Sequence, residues 1–274
     1  MQESSNSKFG KKWSEEETIL TFFYYCKIPF GQIYSTNPKI IRLANLLGRT
    51  PGSVAIKMGN LAHFDPELKK RNIKGFQNAS KTDAIIVERF CCNWEELTYQ
   101  ANLIEKGFLA SAEGSLPVEI EPSSDDFSLL DELSSFLPGE IKLQITRTRV
   151  NQDFFRRAVL ASYQNKCCLT GINYPELLVA SHIKPWKDCD PQTERTNPCN
   201  GLCLNALHDK AFDRGLITVL PDFTVRLSSK LASEYDKVHL SWLLQCDRKK
   251  IELPEKFIPS RDFLEYHNDV IFVP

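Results

Sequence analysis

Between residues 111 and 140 the chain reads SAEGSLPVEIEPSSDDFSLLDELSSFLPGE, with eight acidic side chains, no basic one, and proline, serine and glycine throughout. Few apolar groups stand there to offset the entropy of ordering a backbone, and the like charges repel. The stretch therefore divides the 274-residue chain into a part at 1–110 and a part at 141–274, each needing a core of its own, joined by an acidic linker at 111–140. Within the linker Leu129, Leu130, Leu133 and Phe136 fall at helical spacing, so a short helix over 127–136 is expected.

The other charges are segregated too. Residues 1–82 hold 13 Lys and Arg against 6 Asp and Glu, residues 83–140 hold 2 against 13, and residues 141–274 hold 19 against 16. A net charge of -1 thus hides a front at +7, a middle at -11 and a back at +3. Two polyanion-facing parts flanking a self-repelling connector give this pattern, which makes DNA the expected partner. No apolar run approaches the ~20 residues of a membrane span. MQESSNSKFG, the first ten residues, lack the basic and apolar blocks of a secretory signal, so a cytoplasmic protein is expected. Nine cysteines, an odd number with neighbours at Cys91-Cys92 and Cys167-Cys168, then read as reduced thiols or metal ligands.

The front part has helical periodicity. Ser14 with Glu17 three residues on forms a capping box before Ile19, Leu20, Phe22 and Phe23. Asn37-Pro38 opens a second helix that Gly48 closes, and Thr50-Pro51 opens a third. In the third, Val54, Met58 and Leu61 face inward, which is expected to leave Ser53, Lys57 and Asn60 on an outward stripe. Residues 80–101 read as one further helix, capped by Ser80 and Asp83, with Ile86, Phe90, Trp94 and Leu97 inward and Glu88 and Glu95 solvated. WSEEE from Trp13, with LANLLGRTPGSVAIKMGNL ending at Leu61, loosely resembles a Myb/SANT-type helix-turn-helix domain. That resemblance, with the basic excess, makes Lys57 and Asn60 candidate DNA contacts.

In the back part, residues 151–163 read as an amphipathic helix with Phe154, Phe155, Ala158, Val159 and Leu160 inward. Arg147, Arg149, Arg156 and Arg157 gather four guanidinium forks suited to phosphate oxygens, though each could equally be a solvated helix face. Beyond them runs CCLTGINYPELLVASHIKPW and then NPCNGLCLNALHDKAFDRGLITVL. A β-run over 177–182, a short strand from Asn200, a helix over 207–212 and a strand over 216–220 make a ββα arrangement and an α+β class for the whole chain.

This segment resembles the HNH endonucleases, and among them the prokaryotic restriction-type subfamily with C-x-T-G, [AS]-H-I-x-P-W, N-G-L-x-L and F-D-R-G-L in that order. The likeness runs from about residue 149 to 227. It implies hydrolysis of a phosphodiester, for which water must lose a proton and the phosphate must shed charge. An imidazole titrates near neutrality, so His182 suits the general base. The resemblance further implies that Asn200 anchors the loop holding His182, that His208 binds a divalent metal, Mg²⁺ or Mn²⁺, and that the setting is restriction or phage defence. Asp209 and Asp213, one helical turn apart, could complete the metal site, or Asp213 could fix the turn at Arg214-Gly215. In many relatives the residue before the base is a metal-ligating Asp or His; here it is Ser181, which leaves the ligand set open.

Lys184 could contact phosphate. Cys168, Cys189, Cys199 and Cys203 lack paired C-x-x-C knuckles, so a structural zinc is not expected. His63, His239 and His267 read as structural, and residues 231–274 as completing the core. A homodimer would ease a double-strand cut. The rival reading is a non-cleaving DNA-binding regulator that retains the scaffold.

Overall fold

The computed structural model describes residues 8, 10–65, 68, 79–111, 139–232 and 238–274. The short helix expected over 127–136 lies outside them.

Helix α1 (Glu15–Cys26) starts at the expected capping box, Ser14 accepting from the Glu17 amide while Glu17 accepts from that of Ser14. It is buried on nearly every side: α2 (Pro38–Leu47) packs on α3 (Pro51–Ala62), and α3, α4 (Lys81–Phe90) and α5 (Trp94–Ser111) pack against α1. Asn37 caps α2, and Gly48 ends it in the left-handed region at φ 65°. Thr50 then caps α3. These ends depend on residues within four positions of one another, so they follow from local sequence.

Two expectations for this part are corrected. Residues 80–101 form two helices, because Asn93 accepts the Glu96 amide at 3.3 Å and caps a fresh start at Trp94. Lys57 does not lie on an outward stripe. It is 4% exposed and ion-paired with Asp83 at the start of α4, so the outward side of α3 is left to Ser53, Ile56 and Asn60. Glu88 is exposed as expected, whereas Glu95 is half-buried and accepts from Asn151 at 3.1 Å.

The back part opens with α6 (Gly139–Ser162), which begins a dozen residues before the expected helix. Its two sides serve different cores. Phe154 and Ala158 join the core of the front part, with Phe154 stacked on Phe23 at 5.4 Å, while Phe155, Val159 and Leu160 join that of the back. Lys256, fully buried, donates to the carbonyls of Tyr25 at 2.6 Å and Ile28 at 2.8 Å, where α1 ends. Phe154, Ala158 and Lys256 thus join the two parts, each of which keeps a core of its own.

Strands β1 (Leu178–His182) and β2 (Gly201–Asn205) form an antiparallel hairpin pairing His182 with Gly201 and Leu178 with Asn205. Helix α7 (Ala206–Asp213) follows at once, capped by Asn205, and packs on the hairpin. A second ribbon, β3 (Ile217–Val219) with β4 (Val225–Leu227), lies beyond it. Gly215, at φ 66°, turns the chain between α7 and β3 against the Ile271 carbonyl, where no side chain would fit. Helices α8 (Ser241–Leu244) and α9 (Arg261–Tyr266) close the back core. This is the α+β class expected. Among the described residues no helix is long and apolar enough to cross a membrane.

Candidate active site

His182 is the last residue of β1, where the hairpin frays into the loop that Asn200 holds. The Asn200 side chain is fully buried; its Oδ1 accepts the Lys184 amide at 2.8 Å and its Nδ2 donates to the Lys184 carbonyl at 3.1 Å and to Cys189 Sγ at 3.2 Å. Its own carbonyl accepts the Ile183 amide at 2.9 Å. The two residues after His182 are therefore clamped by one residue, Ile183 by the Asn200 backbone carbonyl and Lys184 by its side-chain amide. The imidazole stacks on Phe155 of α6 at 3.8 Å and meets Trp186 edge-on at 5.5 Å. Nε2 lies 2.9 Å from the Arg195 carbonyl. A carbonyl can only accept, so Nε2 carries the proton and Nδ1 keeps its lone pair. Burial lowers the imidazole to about 4, so near neutral pH the ring is uncharged and able to accept a proton.

His208, on the first turn of α7, is 2% exposed. Its Nδ1 donates to Asn205 Oδ1 at 3.0 Å, and Nε2 faces Cys246 Sγ at 3.5 Å beneath the Trp242 ring. Burial lowers its pKa also. With Nδ1 as donor, the lone pair expected to bind a metal lies on Nε2, the nitrogen that faces the Cys246 thiol. Trp242 and Cys246 come from the stretch of sequence without readable chemistry, and no local spacing announces them.

The oxygen donors are better placed for a hard cation. Burial raises the carboxyls of Asp209 and Asp213, and the charge of Asp209 raises Asp213 further. Ser181, 2% exposed and neighbouring Asp209, has a hydroxyl without a well-formed hydrogen bond. Two mutually repelling carboxylates, Asp209 of them beside the Ser181 hydroxyl, are relieved by a cation, and Mg²⁺ commonly takes one or two carboxylates with water completing its shell. These oxygens fit such an ion. Among the described residues no three His, Cys, Asp or Glu side chains converge on one point.

The expected phosphate contacts are mostly engaged within the chain. Arg156 donates to the Leu178 carbonyl at 3.0 Å, Arg157 to Asp153 at 2.8 Å, and Lys184 to Glu194 at 2.6 Å. Arg149 is half-buried. Arg147 is exposed, its guanidinium 4.9 Å from the Tyr99 ring. His267 is structural: it stacks on Phe212 at 3.7 Å and bonds Thr218 Oγ1 at 2.8 Å.

The model of a protein family described as HNH endonuclease matches residues 167–220, from the cysteine pair through β1, β2 and α7 to the end of β3. No curated protein matches the chain. HNH nucleases generally use a divalent metal, in keeping with the oxygen donors beside β1. The hairpin, the helix packed on it and the ordered His182, Asn200 and His208 lie within the matched residues, and the C-terminal part of this chain carries an HNH nuclease domain.

Proposed function

We propose that the chain is a metal-dependent DNA endonuclease with His182 as its general base, acting in restriction or phage defence. The observation that carries the chemistry is the tether of His182: Nε2 on the Arg195 carbonyl, the ring flat on Phe155, and an uncharged Nδ1 free to take a proton from water. Asn200 keeps that ring in place through the Lys184 peptide. Asp209, Asp213 and the Ser181 hydroxyl would hold the cation, which when bound supplies charge relief at the phosphate and the leaving oxygen. His208 acts in this reading as the pin between α7 and the C-terminal segment. The restriction setting rests on the ordered submotifs of the subfamily.

Plasmid nicking with and without EDTA tests the reading. Nicking that needs Mg²⁺ or Mn²⁺ and stops with EDTA is expected. Binding without any cut under every divalent ion would leave the non-cleaving regulator instead.

A further inference from the structure

Helix α3 cannot read bases as a cationic recognition helix would, because its one lysine is spent on Asp83 and its outward side presents Ile56 at 54% exposure. The surface beside its first turn is of another kind. A groove of about 720 Å³ runs between Lys12-Trp13, the first two turns of α3 and the start of α4 at Ser80 and Thr82. A second hollow of about 270 Å³ adjoins it through Trp13, Thr50 and Ser53, and adds Lys8, Lys11 and Arg49. Trp13 forms the floor between them, with Arg49 4.1 Å and Lys57 5.1 Å from its ring.

The electrostatics of this surface are one-sided. Among the described residues Asp83 is the only carboxylate in either wall, and Lys57 neutralises it. Lys8 and Arg49 share the single buried Glu17. Lys11 and Lys12 are exposed and make no ion pair among the described residues. Between these cations the walls offer the Thr50 and Ser53 hydroxyls and the Asn60 amide. An open channel whose rim carries Lys11 and Lys12 above a lining that includes Trp13 and Ile56 suits a phosphodiester backbone, which is recognised by charge and by short donors at that rim.

We propose that this Trp13 groove seats the sugar-phosphate backbone of duplex DNA, with Lys11 and Lys12 as its phosphate contacts. The proposal rests on the reading that the chain acts on DNA and assigns the front part to holding the duplex, independently of base identity. It also fits the charge distribution, since the front carries the larger basic excess while the arginines and Lys184 of the back part are largely engaged.

The test is binding of the full chain to a 30-base-pair duplex of arbitrary sequence in EDTA, by fluorescence anisotropy at several salt concentrations. Each phosphate contact contributes about 0.9 to the slope of log affinity against log salt, so Lys11→Glu/Lys12→Glu should flatten the slope by about 2 and weaken binding at least tenfold. Lys249→Glu/Lys250→Glu, the same charge change on exposed lysines of the back part, should leave the slope within about 0.5 of wild type. Equal slopes for the first pair and wild type, or equal losses for both pairs, would overturn the proposal. The nuclease reading fails separately: a chain that binds through the groove and never cuts keeps this inference and loses that one.

Discussion

His182 and Glu17 are the two side chains whose surroundings most clearly set their behaviour. His182→Ala removes an acceptor already stripped of its proton by burial and held at 2.9 Å by the Arg195 carbonyl; cleavage should fall by about 10² to 10⁴ while the melting temperature and DNA affinity hold. Wild-type rates in that variant would remove His182 from the chemistry. Glu17 is 2% exposed. Burial alone would raise its carboxyl, but Arg49 at 2.6 Å, Lys8 at 2.7 Å and the Ser14 amide hold it below the ordinary range. A lowered native value means that the stability it lends is complete above the ordinary carboxylate range and disappears as pH falls through the lowered one. Glu17→Gln should therefore cost about 3 kcal/mol near neutrality, and its denaturation midpoint should converge on that of wild type in acid. A constant gap across pH would show that the charge of Glu17 is not what matters.

At the level of helices, the segment that does most is α6, because Phe154 and Phe155 point into different cores. Phe154→Ala should cost about 3 to 5 kcal/mol through the cavity left among Phe23, Trp94 and Ala158. For the same reason a fragment of residues 139–274 exposes Phe154, Phe257 and the Lys256 ammonium at once, and should bind a hydrophobic dye and unfold without cooperativity. A sharp thermal transition in the fragment would contradict the shared core. What the sequence allowed and what it hid divide along distance. The caps at Ser14, Asn37, Thr50 and Asn205 lie beside the helices they start, and the hairpin, α7 and the order of His182, Asn200 and His208 are local patterns. The partner that buries Lys57, Asp83, is 26 residues away, and Cys246 beside His208 is 38 away, so no local spacing shows either. Asn93 sits inside a run that is amphipathic on both sides of it, so periodicity alone gave no reason to break the helix there.

Across the whole molecule one cation joins the apolar contacts in bridging the two parts. Lys256 lies 4.3 Å from the Tyr25 ring and donates to carbonyls at the end of α1, and burial lowers its ammonium to about 8. Lys256→Met keeps the aliphatic length but strands those carbonyls away from water; it should cost about 3 kcal/mol and loosen protection of the amides of α1 and α6 together in hydrogen exchange. Loss of protection confined to the loop around residue 256 would mean that the two parts are held by their apolar contacts alone. The pairing also limits how such a nuclease can be recombined. A back part carried onto a different helical front would bring its buried lysine to a surface without a matching cup of helix-end carbonyls, an uncompensated charge of the kind folding tolerates least. Grafts should therefore succeed only when the terminus of the receiving helix travels with the lysine, so that what moves between proteins is the nuclease unit together with the last turn of α1.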